Sequence, residues 1–167
     1  MKTIFLDIDG VIATDRQFMG NRNKFNQKNP WSKELRVPYG FDKGCVAILN
    51  EILEETSSVI VMSSDWRTHW NLTELNEIFS HNGVIRGPKF VTDVDPVSFG
   101  NLEKNRAWEI EKFIKEHDIT NYVVIDDLDV GKYMSESGDD NKFVKTVSSE
   151  GLKQTGVKSK ILSILNK

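Results

Sequence analysis

The chain has 167 residues, 38% of them hydrophobic and 28% charged, which is long enough to bury a core and ordinary in composition for a globular domain. A formal charge of −3 excludes a generally basic nucleic-acid coat protein, though not a local basic groove. Cys45 is the one cysteine, so neither an intramolecular disulfide nor an all-cysteine metal site can form, and a reducing compartment fits.

In chain order, Ile4-Phe5-Leu6 is a short apolar run that ends at Asp7-Ile8-Asp9-Gly10. It is too short for a signal peptide or a membrane span, which predicts a cytoplasmic protein with no membrane partner. Residues 15–43 lack periodicity and hold Asn21, Asn23, Asn26, Asn29, Pro30 and Pro38, so they read as an irregular insert. Cys45, Ile48, Leu49, Ile52 and Leu53 then recur at helical spacing. Val59-Ile60-Val61-Met62 is a second strand, followed at once by Ser63 and Ser64. Leu72, Leu75, Ile78 and Phe79 mark a helix that Asn82-Gly83 ends with a left-handed cap.

Phe90-Val91-Thr92 is a weaker strand, nearer an edge, and residues 93–103 read as a loop. Lys104 opens the helix of Trp108, Ile110, Phe113 and Ile114. Val123-Val124-Ile125 is a third clear strand and runs into Asp126 and Asp127; Phe143-Val144-Lys145 is a second weak one. Ile161, Leu162, Ile164 and Leu165 close the chain as a helix. Unalternated, β-branched strands interleaved with helices predict an α/β fold: a Rossmann-like parallel sheet of about five strands with helices on both faces. Residues 1–167 are expected to form one domain.

Ligands of such sheets bind beyond the carboxyl ends of the strands, and three strands here end in acidic or hydroxyl groups. Crowded carboxylates repel one another unless a cation joins them, and hard oxygen donors suit Mg2+. A cation, a lysine and a serine hydroxyl together make a cage for a phosphoryl group, and a carboxylate held in line with phosphorus can attack it.

The ordered set Asp7-Ile8-Asp9-Gly10, Ser63, Lys104 and Asp126-Asp127 resembles the motifs of the haloacid-dehalogenase-like (HAD) superfamily across nearly the whole chain. The resemblance implies that Asp7 is the nucleophile and that Asp9 is the general acid and base, its carbonyl facing the metal. It also implies that Ser63 and Lys104 bind phosphate and that Asp127, with Asp126, serves the metal. An acid at position 9 favours a phosphatase, because it can protonate the leaving group and then activate water. Phe5-Leu6-Asp7-Ile8-Asp9-Gly10-Val11-Ile12, Val61-Met62-Ser63-Ser64-Asp65-Trp66-Arg67, Asp126-Asp127-Leu128-Asp129 and Ser149-Glu150-Gly151-Leu152 are similar to a narrower branch. That branch comprises the HAD domains of "Swiss army knife" RNA-repair proteins, and the acidic pair is similar to that of the phosphatase half of phage polynucleotide kinase-phosphatase.

Individual assignments have rivals. Ser63 follows the strand directly, but Ser64 competes with it for the phosphate, and either could cap the next helix. Lys104 competes with Lys89 and Arg106. Arg67 is a candidate phosphate ligand, with a salt bridge to Asp65 as the alternative. Asp126 either reaches metal through water or orients Lys104 or Ser63. Trp66, Trp70 and Trp108 read as packing residues.

The resemblance also implies a small or minimal cap, since the 15–43 insert is flap-sized. Seven basic residues, Arg16, Arg22, Lys24, Lys28, Lys33, Arg36 and Lys43, stand there against three acids, which makes the insert +4 and the remainder −7. With Phe18, Phe25, Trp31, Tyr39 and Phe41 among them, they suit a groove that tracks a polynucleotide end, while a solvated loop anchored by a few aromatics is the slightly favoured alternative; nucleic-acid 3′-phosphate ends or nucleotides are the expected substrates. A phosphotransferase and a non-catalytic phosphate- or nucleic-acid-binding module of the same fold are the alternatives to a phosphatase.

Overall fold

A computed structural model describes residues 1–15, 40–94, 100–134 and 142–167. Most of the 15–43 insert, including its basic residues other than Lys43, lies outside these.

The short apolar runs are strands: β1 (Thr3–Leu6), β2 (Val59–Met62), β3 (Phe90–Val91), β4 (Tyr122–Asp126) and β5 (Phe143–Lys145). They form one parallel sheet in the order β3-β2-β1-β4-β5. The two weak runs are the edges. An edge strand has one neighbour to satisfy, and β3 and β5 are the shortest strands of the sheet, with two and three residues. The helices are α1 (Lys43–Thr56), α2 (Leu72–His81), α3 (Leu102–Glu116) and α4 (Val157–Leu165). α2 begins with a capping box between Asn71 and Glu74 and gives way to Gly83 at φ +82°. α3 begins at Leu102, inside the expected loop, because the Asn101 side chain accepts the Lys104 amide and caps the first turn.

Successive strand residues point to opposite faces, and the buried side chains divide accordingly. Ile4, Leu6, Ile60, Met62, Val123 and Ile125 pack with α1, α2 and α4. Phe5, Val61 and Val124 pack on the other face with Ala107, Ile110 and Phe113 of α3. Phe5 lies in the middle of that layer, edge-on to Phe113 and Tyr122 at 5.9 Å from each ring centroid.

Register then sets the carboxyl edge. Leu6 is level with Met62 and with Ile125, so Asp7, Ser63 and Asp126 come next side by side. The Asp7 amide donates to the Ile125 carbonyl at 3.0 Å and the Ser63 amide to the Leu6 carbonyl at 3.1 Å. Each stands two residues beyond a side chain of the Phe5 layer, and all three therefore project towards α3.

The two margins of the insert are tied together. The Asp42 amide donates to the Ile12 carbonyl at 2.7 Å, and the Thr14 hydroxyl donates to the Asp42 carboxylate at 3.2 Å. Asp42 also caps α1 through the Gly44 and Cys45 amides and accepts Lys153 Nζ at 2.6 Å. Among the described residues no helix is long and apolar enough to cross a membrane.

Candidate active site

Asp7 and Asp126 are buried at 3% and 0% exposure, Asp127 is half-buried, and their carboxylate oxygens lie within 4.8 Å of one another. Burial, then repulsion from Asp126, pushes the Asp7 pKa up to about 8, against the pull of Arg106 and a hydrogen bond from Ser64. Asp127 rises to about 6 for the same two reasons. Asp126 is also raised, chiefly by burial, although Arg106 and the Leu128 amide favour its charge. Three acids thus face one another in a place where their negative charge is costly.

The cation against them is Arg106. Its Nη1 lies 2.8 Å from Asp126 and 3.2 Å from Asp7, and its Nη2 lies 3.2 Å from Asp65. Burial disfavours the guanidinium charge, but Asp7 and Asp126 outweigh it and raise the Arg106 pKa. Lys104, the residue assigned this place from the sequence, is exposed in the first turn of α3. The helical phase explains the difference. Counting back four from Ile110 and seven from Phe113, both in the layer under the sheet, lands on residue 106 and not on residue 104.

The two serines divide the roles that the sequence left open between them. The Ser64 hydroxyl accepts the Trp66 amide at 3.5 Å and caps the 3-10 turn Asp65–Thr68. Ser63 Oγ is fully buried and has no hydrogen-bond partner among the described residues, an arrangement that leaves a donor available for a ligand.

Arg67 turns away from the carboxylates. Its Nε donates to the Thr92 carbonyl at 3.1 Å, and its Nη1 donates to the Ser63 and Ser64 carbonyls at 2.6 and 2.7 Å. Its Nη2 pairs with the buried Glu109. Its Nη1 also forms a salt bridge with Asp65 at 3.8 Å, the alternative that the sequence offered. The guanidinium therefore ties the ends of β2 and β3 to α3 and fixes the backbone that carries the two serines.

Asp9 is open to solvent and its side chain lies outside the three-carboxylate group. Its Oδ2 accepts the indole Nε1–H of Trp66 at 2.8 Å. What burial it has raises its pKa, and the indole bond works in the opposite direction. Trp66, read from the sequence as a packing residue, does pack, at 5% exposure, but it also holds Asp9. No local spacing announces that contact, which spans 57 positions.

Gly10 completes the loop after β1. At φ +73° it adopts a conformation that disfavours side chains, and a Cβ there would fall within the carboxyl group of Asp127. Its carbonyl accepts the Thr146 hydroxyl at 2.9 Å, linking the loop to the end of β5.

The family model described as the HAD domain in Swiss Army Knife RNA repair proteins matches residues 3–157, which takes in every residue of the site. No curated protein and no solved structure matches the chain. With the parallel sheet, the acidic loop after β1 and the acidic pair after β4, that match places the chain in the family of HAD domains found in Swiss Army Knife RNA repair proteins.

Proposed function

We propose that this chain is a Mg2+-dependent phosphomonoester hydrolase that works through an aspartyl-phosphate on Asp7, with phosphorylated RNA ends, 3′-phosphates above all, as its substrates. The observation that carries the reading is the convergence of Asp7, Asp126, Asp127 and Arg106 at the carboxyl edge of the sheet, beside the Ser63 hydroxyl, which has no partner among the described residues.

Three hard oxygen donors whose pKa values are raised, chiefly by burial and for Asp7 and Asp127 also by Asp126, fit a divalent cation, and Asp7, Asp127 and Asp126 are the residues that would hold it. Mg2+ there would shield the charge of the carboxylates and of the phosphoryl group. The rest falls to the chain itself. Arg106 favours the charged form of Asp7, which the attack requires. An oxygen of Asp7 bonds to phosphorus as the bond to the ester oxygen breaks, and Asp9 gives that oxygen its proton. Asp9 then takes a proton from water, whose oxygen attacks phosphorus; the bond to Asp7 breaks and inorganic phosphate leaves. Ser63 and Arg106 donate to the phosphoryl oxygens throughout.

The substrate class rests on the repair proteins in which this domain family occurs and on the +4 charge of residues 15–43. Phosphate release from a 3′-phosphorylated oligoribonucleotide, a nucleoside 3′-monophosphate and an aryl phosphate tests it. Release should need Mg2+ and stop with chelator, and kcat/KM should be at least about tenfold higher for the oligonucleotide at low salt. Equal use of all three would reject the RNA-end assignment, and release undiminished by chelator would reject the metal.

Gly10→Ala tests the seat of the cation. Moving the Asp127 carboxyl should raise the Mg2+ concentration for half-maximal activity about tenfold or more. An unchanged Mg2+ titration would mean that Asp127 is not a ligand.

A further inference from the structure

Trp66 has a property that packing does not explain. The indole ring is buried between neighbours, with ring centroids 4.9 Å from Trp70 and 6.0 Å from Phe41, and its turn is capped by Ser64. From that fixed seat its Nε1–H donates to Asp9 Oδ2 at 2.8 Å. Indole has one donor, no acceptor and no charge. It can therefore hold an oxygen of Asp9 whether the acid is ionised or protonated, and the oxygen that it holds is kept as an acceptor. A proton on Asp9 is directed to Oδ1, which has no hydrogen-bond partner among the described residues. A lysine or arginine in this place would favour the ionised carboxylate, which is no use to an acid. A hydroxyl group can donate or accept and would leave the site of the proton open.

We infer that Trp66 is a positioning residue: it fixes the Asp9 carboxyl so that Oδ1 is the oxygen which passes the proton to the leaving group and later takes one from water. The inference rests on Asp9 being the general acid and base of the proposed phosphatase. As the phosphorus–ester bond breaks, the Oδ1 proton moves to the departing oxygen, and Asp9 remains as a carboxylate anchored at Oδ2. In the second step Oδ1 accepts a proton from the attacking water while the bond from phosphorus to Asp7 breaks.

Leaving groups differ in how much they need that proton. A nitrophenolate departs without it, whereas an alkoxide such as a ribose oxygen requires it. The test is kcat/KM for nitrophenyl phosphate and for a nucleoside 3′-monophosphate in the native chain, Trp66→Phe, Asp9→Ala and the double variant. Trp66→Phe keeps a ring against Trp70 and Phe41 and removes only the donor edge. It should lose at least about tenfold more on the alkyl ester than on the aryl ester, and in the Asp9→Ala background it should cost nothing further. Equal losses on both esters, an undiminished loss without Asp9, or a gain in rate would each overturn the inference and leave Trp66 a packing residue.

A second readout does not depend on turnover or on the stability of the phenylalanine variant. In the 15N-labelled chain, Asp9→Ala should shift the Trp66 indole N–H resonance and speed its exchange with solvent. An unmoved resonance would show that no bond is present to position anything. A native chain that releases no phosphate from either ester would overturn the phosphatase reading and this inference together; native turnover with equal losses would overturn this inference alone.

Discussion

Asp7→Asn is expected to lower turnover by about 10⁴-fold or more and, in chelator at pH 8, to make the protein more stable. The first effect follows from removing the carboxylate proposed as the nucleophile that forms the acyl phosphate. The second follows from linkage. The folded-state pKa of Asp7 is raised from the ordinary 3.8 to about 8, so its contribution to stability is complete below about pH 4 and is lost as the pH rises through 8. Asp127, raised to about 6, adds a smaller loss in the same direction. Asparagine never acquires the charge, and Arg106 keeps Asp126 and Asp65 as partners.

The gain for Asp7→Asn at pH 8 should be on the order of 3 kcal/mol, or roughly 6–12 °C in Tm for a chain of this size. It should vanish near pH 4, where native Asp7 is protonated. Mg2+ should close the gap at pH 8 from the other side, since it stabilises the native cluster more than the variant. Thermal melts at both pH values, in chelator and in Mg2+, check all of this. An asparagine variant that melts below the native chain at pH 8 in chelator would show that the carboxylates are not under the repulsion assigned to them.

Arg106→Ala should destabilise the protein by about 3–5 kcal/mol near pH 7.5, because Asp7 and Asp126 would keep their burial and lose their cation. The loss should shrink towards pH 5. Without the guanidinium both pKa values go higher still, and the acids take up protons in place of the missing charge. Urea unfolding at the two pH values measures it. Activity of the folded variant should fall by about 10²–10³-fold, with Arg106→Lys intermediate because a lysine keeps the charge and loses the fork. Lys104→Ala should change activity less than threefold, roughly the scale of an exposed charge. If Lys104 proves to be the costly residue, the assignment of Arg106 as the phosphate-side cation is wrong.

Local patterns carried the architecture. Short β-branched runs without polar alternation marked β1, β2 and β4 as strands covered on both faces, and the two weaker runs became the sheet edges. The acidic residues after β1 and β4 could be placed because the parallel register needs only strand ends, and Leu6, Met62 and Ile125 are level. Contacts between elements far apart in sequence were not legible in this way. Arg106 reaches Asp7 because α3 crosses the face where Phe5 and Val124 point, a matter of which face the crossover takes. Arg67 resembled a phosphate ligand until its nitrogens were seen on the Thr92, Ser63 and Ser64 carbonyls and on Glu109. Trp66 carried no signal at all, since tryptophan after a strand reads the same whether or not its N–H meets an acid.

The tie between Ile12 and Asp42 has a thermodynamic meaning for the chain between them. With the two margins bonded to each other and Asp42 bonded to Lys153, the intervening stretch is a closed loop in the polymer sense. Loop-closure entropy grows only with the logarithm of length, about 0.6 kcal/mol for each doubling. Ala13 and Phe41, at its two ends, are buried in the core, while the sheet and the carboxylates of the site lie outside that loop. As far as closure entropy goes, a change in the length of the segment between these margins therefore costs the fold little.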